Sequence, residues 1–92
     1  MSLDGFERAV FGKENILSAV AATSKDEDGK TFVSLVNEYG DDIHFTVTKD
    51  TNDGELVGFG VAARSADARD VLIKGLRFIV KTLEEESQEV DD

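Results

Sequence analysis

Four runs of this chain contain no Asp or Glu: Ile16–Ser24, Thr31–Asn37, Ile43–Lys49 and Leu56–Arg64. The whole chain has 20 acidic and 10 basic residues, a formal net charge of −10. Nine of the acids fall in the three gaps between the runs, and six more (Glu84, Glu85, Glu86, Glu89, Asp91, Asp92) fall in the last nine residues. Carboxylates are depleted from strands in general, so the pattern separates strands from the turns and tail around them. The net charge therefore describes turns and a tail, and the surface built by the four runs must be judged separately.

The runs carry the period expected of strands. Ile43–Lys49 places Ile43, Phe45 and Val47 on one face and His44, Thr46 and Thr48 on the other. Leu56–Arg64 places Val57, Phe59, Val61 and Ala63 opposite Leu56, Gly58, Gly60, Ala62 and Arg64. Thr31–Asn37 is rich in β-branched and aromatic residues. Ile16–Ser24 reads as a strand, although its alanines also suit a helix. The connections carry Asp28-Gly29, Gly40-Asp41 and Asn52-Asp53-Gly54, which is turn chemistry. Short turns between successive strands imply an antiparallel meander. Ahead of them, Leu3, Phe6 and Val10 are spaced i, i+3, i+7, which predicts a short N-terminal helix ended by Gly12.

After the runs, Ser65 is a good N-cap and Asp67 suits the first turn of a helix from about Ala66 to Glu86. Leu72, Leu76, Ile79 and Leu83 form an apolar ridge, widened by Ile73 and Val80 on one side and by Val71, Gly75 and Phe78 on the other. At about 100° per residue the apolar arc spans roughly 220°, and one sheet face needs only about 100° or somewhat more. A second apolar partner is therefore expected. The reading is a homodimer through this helix, with Val71, Gly75, Phe78 and Leu83 at the interface. The opposite face carries Asp70, Lys74, Arg77, Lys81 and Glu85 and reads as solvated, with two i, i+4 ion pairs.

The expected fold is α+β: a four-stranded antiparallel meander followed by one long C-terminal helix, preceded by a short N-terminal helix. Residues 1–15 form the N-terminal segment, 16–83 the core domain and 84–92 an acidic, frayed tail. A chain of 92 residues makes one domain with a modest core, for which oligomerisation is a common source of stability. It has no cysteine, which excludes disulfides and thiolate metal sites. No apolar stretch approaches the roughly 20 residues of a membrane span, and Met1–Phe11 does not resemble a signal peptide. A cytoplasmic protein without membrane partners is expected.

Chemistry is sparse. One histidine, no cysteine and no Gly-rich phosphate loop argue against an enzyme and against a cofactor. His44 has threonines as same-face neighbours and no announced triad partners. Asp26-Glu27-Asp28 and Asp50–Glu55 lack the alternating ligand spacing of a calcium loop, so no metal is expected. Binding is the better-supported role. Single-stranded nucleic acid needs flat groups for base stacking, cations for phosphates and a path free of carboxylates. The candidates are Phe32 and His44 for stacking, with Tyr39 as a further aromatic. Lys25, Lys30, Lys49 and Arg64 are candidates for phosphates, and Thr46 lies in the same strip as His44. Gly58 and Gly60 leave the backbone open to approach, or permit sheet curvature.

The run Gly60-Val61-Ala62-Ala63-Arg64-Ser65-Ala66, together with the order of elements over Ile16–Leu83, resembles the positive cofactor four family of transcriptional coactivators. The resemblance implies a curved four-stranded sheet that binds single-stranded DNA and a helix that mediates dimerisation. Phe59 stands where that family has a lysine, and Ala68 stands near the place of an early helix aromatic. The expected function is that of a small single-stranded nucleic-acid binder in replication, recombination or transcription, with an acidic tail that contacts a basic protein or competes with nucleic acid. The alternative is an acidic interaction module or inhibitor of the DNA-mimic type, whose turn and tail carboxylates meet a basic, nucleic-acid-handling partner. A third reading is a structural subunit that pairs by sheet edges or helices.

Overall fold

The structure, a computed structural model, describes residues 6–23 and 30–90. Its elements are β1 (Phe6–Phe11), β2 (Ile16–Thr23), β3 (Thr31–Tyr39), β4 (Ile43–Lys49), β5 (Leu56–Ala63) and α1 (Ala66–Val90). The four acid-free runs all form strands, Ile16–Thr23 included, and α1 begins one residue after Ser65. The Ser65 Oγ accepts a hydrogen bond from the Ala68 amide at 3.0 Å, which satisfies one of the free donors of the first helical turn.

Three expectations are corrected. Phe6–Phe11 is a strand and not a helix: it pairs antiparallel with β2 along its whole length, from Phe6 opposite Ala22 to Phe11 opposite Leu17. So short a helix has little stability of its own, whereas the free edge of β2 offers a complete ladder. Next, the single four-stranded sheet is instead two sheets, β1-β2-β3 and the separate hairpin β4-β5. Finally, α1 runs to Val90, so 84–90 is helix and not a frayed tail. Glutamate and glutamine are good helix formers and prolong it. Asp91 and Asp92 lie outside the described residues, as do Lys25 and the acids of 26–28.

The core lies where α1 crosses β2. Leu17, Ile43, Ala68 and Val71 form one buried cluster, and Ala19, Ala21 and Ile79 form a second. Phe11 and Leu35 pack against both clusters. The alanines of β2 shorten the distance between sheet and helix, and Gly75 completes the fit: a Cβ there would stand 2.8 Å from Leu17 Cδ2. Phe78 meets Phe11 edge to face, with ring centroids 6.2 Å apart. Val71, Gly75, Phe78 and Leu83, expected at a dimer interface, thus pack within the chain's own core. The small-residue side of the helix turns toward the alanines because only there can the two backbones approach. Asp70 and Lys74 form the expected exposed i, i+4 ion pair at 3.1 Å.

One polar side chain ties the parts together. Asn15, between β1 and β2, is only 3% exposed. Its Nδ2 donates to Asp67 Oδ2 at 3.0 Å and to Asp42 Oδ2 at 3.5 Å, and its Oδ1 accepts from the Asp42 amide at 3.3 Å. It therefore joins the β1–β2 turn, the β3–β4 turn and the first turn of α1. The chain wraps it closely. Gly12 and Gly40 have φ of 105° and 101°, and a Cβ on either would overlap Asn15. Asn37 fixes the neighbouring turn by donating from Nδ2 to the carbonyls of Gly40 (2.9 Å) and Ile43 (3.2 Å).

Removing Asn15 takes hydrogen-bond partners from the half-buried Asp42 and the exposed Asp67 and empties a buried site. Asn15→Ala is expected to cost about 1–3 kcal/mol, read as a lower urea midpoint. Asn15→Asp, which sets a third carboxylate beside Asp42 and Asp67, is expected to cost more than Asn15→Ala at neutral pH. Equal stability of Asn15→Ala and the parent chain would remove this joint from the account.

Candidate nucleic-acid interface

The register of the β4–β5 hairpin sorts its residues onto two faces. His44 opposes Ala62, Thr46 opposes Gly60 and Thr48 opposes Gly58. On the other face Ile43 opposes Ala63, Phe45 opposes Val61 and Val47 opposes Phe59. Ile43 is buried with Val71 and Ala68 of α1, so the apolar face is the one turned toward the helix. The strip of His44, Thr46 and Thr48 therefore lies on the side away from α1.

At the base of this strip Arg64 Nη1 stands 3.2 Å from His44 Nε2. A guanidinium has donors only, so His44 Nε2 is the acceptor. The Arg64 backbone is held as well, its amide donating to the Asp42 carbonyl at 2.8 Å. Both side chains remain exposed. Farther along, a Cβ on Gly60 would stand 2.9 Å from Thr46 Oγ1, so the glycine makes room for the threonine lying across it. This is a local packing reason for a glycine, and it also keeps the strip low. An open depression at the start of α1 is lined by Ala63, Arg64, Ser65, Ala66 and Arg69.

The three-stranded sheet has its own side away from the helix. Ala19 pairs with Leu35 and Ala21 with Val33, which puts Val33 and Leu35 on the helix side and leaves Phe32, Ser34 and Val36 on the other. Phe32 is 48% exposed. Across this face the ladders align Arg8, Val20 and Ser34 in one row and Val10, Ser18 and Val36 in the next. Neither row contains a carboxylate. Arg8 is exposed and was not among the residues singled out from the sequence, because Ser2–Phe11 read as a helix. The signal that marks it is the alternation of Arg8 and Val10 with Ala9 and Phe11.

The expected site residues thus divide. His44, Thr46 and Arg64 come together on the hairpin. Phe32 belongs to the other sheet, with Arg8. Lys30 is exposed just before β3, and Tyr39 is exposed at its end. Lys49 is exposed at the end of β4, beyond a register shift after Thr48, where it pairs with Leu56. Lys25 lies outside the described residues. Several acids of the gaps are engaged in holding turns. Asp50 Oδ1 accepts from the Asn52 amide at 2.7 Å and Asp53 Oδ1 from the Glu55 amide at 2.9 Å, which closes the hairpin tip. Among the described residues no group of three or more His, Cys, Asp or Glu is placed to hold a metal. No described helix is long and apolar enough to cross a membrane.

Compared with protein-family models, with curated proteins and with solved structures, the chain matches none. The division into two sheets departs from the single curved sheet of the positive cofactor four family.

The Thr46–Gly60 contact generates a coupling test. Gly60→Ala is expected to destabilise by about 1–3 kcal/mol through overpacking, and adding Thr46→Ala should recover most of the loss in a double-mutant cycle. Strict additivity of the two substitutions would show that the contact does not set the shape of the strip.

Proposed function

We propose that this protein is a non-enzymatic binder of single-stranded nucleic acid that uses the side of its sheets away from α1. The observation that carries this reading is that the rows Arg8-Val20-Ser34 and Val10-Ser18-Val36 of one sheet and the strip His44-Thr46-Thr48 of the hairpin contain no carboxylate. One sheet presents Arg8 and Phe32 there, and the hairpin presents His44, Thr46 and Arg64. Phe32 and His44 offer flat faces on which bases stack without regard to sequence. Arg8 and Arg64 supply guanidinium groups for phosphates. Arg64 is held by His44 and by its own backbone bond before any ligand arrives, which lowers the ordering cost of binding. The low strip of Thr46, Gly58 and Gly60 lets a phosphodiester backbone lie close to the sheet. The processes served are those that expose single strands, namely replication, recombination and transcription.

The DNA-mimic alternative finds less support. A mimic presents free carboxylates as phosphate surrogates, whereas Asp42, Asp50, Asp53 and Asp67 all accept hydrogen bonds within the chain. The positions of Asp42, Asp50 and Asp53 in the gaps, and of Asp67 at the start of α1, follow from turn and joint chemistry. With a net charge of −10 and few cations on the binding side, affinity should be modest and the salt dependence shallow. Each phosphate neutralised on a single strand contributes a slope of about −0.7 in log K against log salt.

Fluorescence anisotropy with a labelled oligothymidine at low salt tests the reading. The parent chain should bind. Phe32→Ala should weaken binding by about 1–3 kcal/mol, the worth of one stacked base. Arg8→Ala and Arg64→Ala should each weaken it and reduce the salt slope by about one phosphate's share. Absence of binding by the parent chain, or affinity equal to the parent's in all three variants, would refute the proposal.

A further inference from the structure

The apolar face of the hairpin starts inside the core and ends in water. Its base pair, Ile43 and Ala63, packs against Leu17 and Val71, and Val61 continues the contact. Beyond them Phe45 is exposed, Val47 is 62% exposed and Phe59 is 69% exposed, although these residues form cross-strand pairs on one face. A two-stranded ribbon is marginal by itself, and one with an uncovered aromatic face has no reason to persist in water without a partner. The same chain carries a second uncovered stripe. Ile73, Leu76 and Val80 of α1 lie within about 60° of one another around the helix, on the order of 130° from the buried Val71, Gly75 and Ile79. All three are exposed, Val80 by 54%. The hairpin's contact with its own helix is confined to the start of α1, at Ala68 and Val71, so this stripe is left open.

From these two faces we infer that the chain forms a two-fold homodimer in which the hairpin of each copy covers the outer stripe of the partner's α1. A second copy is the occupant because one chain supplies both halves of the contact, and a two-fold axis then closes it twice. Two further observations favour it. Each face is the exposed continuation of the chain's own core, so the contact would merge two small cores into one. The charges around the faces are of opposite net sign: Asp50, Asp53 and Glu55 outnumber Lys49 at the hairpin tip, and Arg69 and Arg77 outnumber Glu84 beside the helix stripe.

This interface differs from a helix-to-helix dimer through Val71 and Gly75, which are buried under β2, and it does not rest on nucleic-acid binding. It leaves the side carrying His44, Thr46 and Arg64 free.

Sedimentation equilibrium or light scattering of the full chain should give twice the 10.0 kDa chain mass, with micromolar or tighter association. Phe59→Lys and Val80→Glu should each give a monomer with unchanged helical circular dichroism, because both side chains are exposed in the single chain. Mixing the two variants should restore a dimer. One contact then pairs Lys with Glu and the other is native. A monomeric parent chain at high micromolar concentration would overturn the inference, whatever the variants do. A dimer lost in Phe59→Lys but not in Val80→Glu would assign a hairpin-to-hairpin contact instead. Loss in Val80→Glu alone would assign a helix-to-helix contact.

Discussion

The buried amide of Asn15 is the joint on which the architecture depends. It sits where three chain reversals meet: the β1–β2 turn that contains it, the β3–β4 turn through Asp42, and the start of α1 through Asp67. A buried polar group is costly unless paired, and here each of the side chain's two polar atoms has a partner. The glycines at 12 and 40 have positive φ, and a Cβ would overlap the Asn15 backbone carbonyl at Gly12 and the Asn15 side chain at Gly40. Asp42 is held by Asn15 at the turn where the sheet of β3 ends and the β4–β5 hairpin begins. The hairpin leaves the body at this joint, with Ile43 anchored in the core and its tip in water. The position of the candidate strip, the openness of the hairpin and the exposed flank of α1 all follow from that departure.

The distribution of acid follows from the same frame. Carboxylates at Asp42 and Asp67 serve the joint, and those at Asp50 and Asp53 close the hairpin tip. What remains between them, on the side away from α1, is a surface of threonine, glycine, serine and apolar residues with two arginines, one histidine and Phe32. A chain with a net charge of −10 can thus present a locally neutral to basic face. Such a face suits a polyanion at short range even though the whole molecule repels it at long range.

Much of this was legible in the sequence because it rests on local pattern. The period-2 alternation of Ile43–Lys49, the turn residues at Asn52-Asp53-Gly54 and the N-cap at Ser65 each report on a few neighbouring residues. The dependence of Phe32 on the orientation of Val33 and Leu35 was also readable, since one strand's two faces are exclusive. Other features were not readable because they are decided by distant partners. Phe6–Phe11 fits a helical spacing in isolation and becomes a strand only because β2 offers an edge. The break between β3 and β4 falls at a turn held by Asn15, 27 residues before Asp42. The wide apolar arc of α1 was visible, but which flank the chain would bury was not. The alanines of β2 choose the flank with Gly75, which moves the free stripe to Ile73, Leu76 and Val80. Arg8 was missed for the same reason as β1.

The central claim is that one side of this molecule, the side away from α1, meets single-stranded nucleic acid. The most direct measurement is an amide chemical-shift titration of the labelled full chain with an oligothymidine. The account predicts shifts concentrated at Arg8, Phe32, His44, Thr46 and Arg64 and their strand neighbours, with the middle of α1 unmoved. Shifts confined to the helix, or none at saturating oligonucleotide, would contradict it.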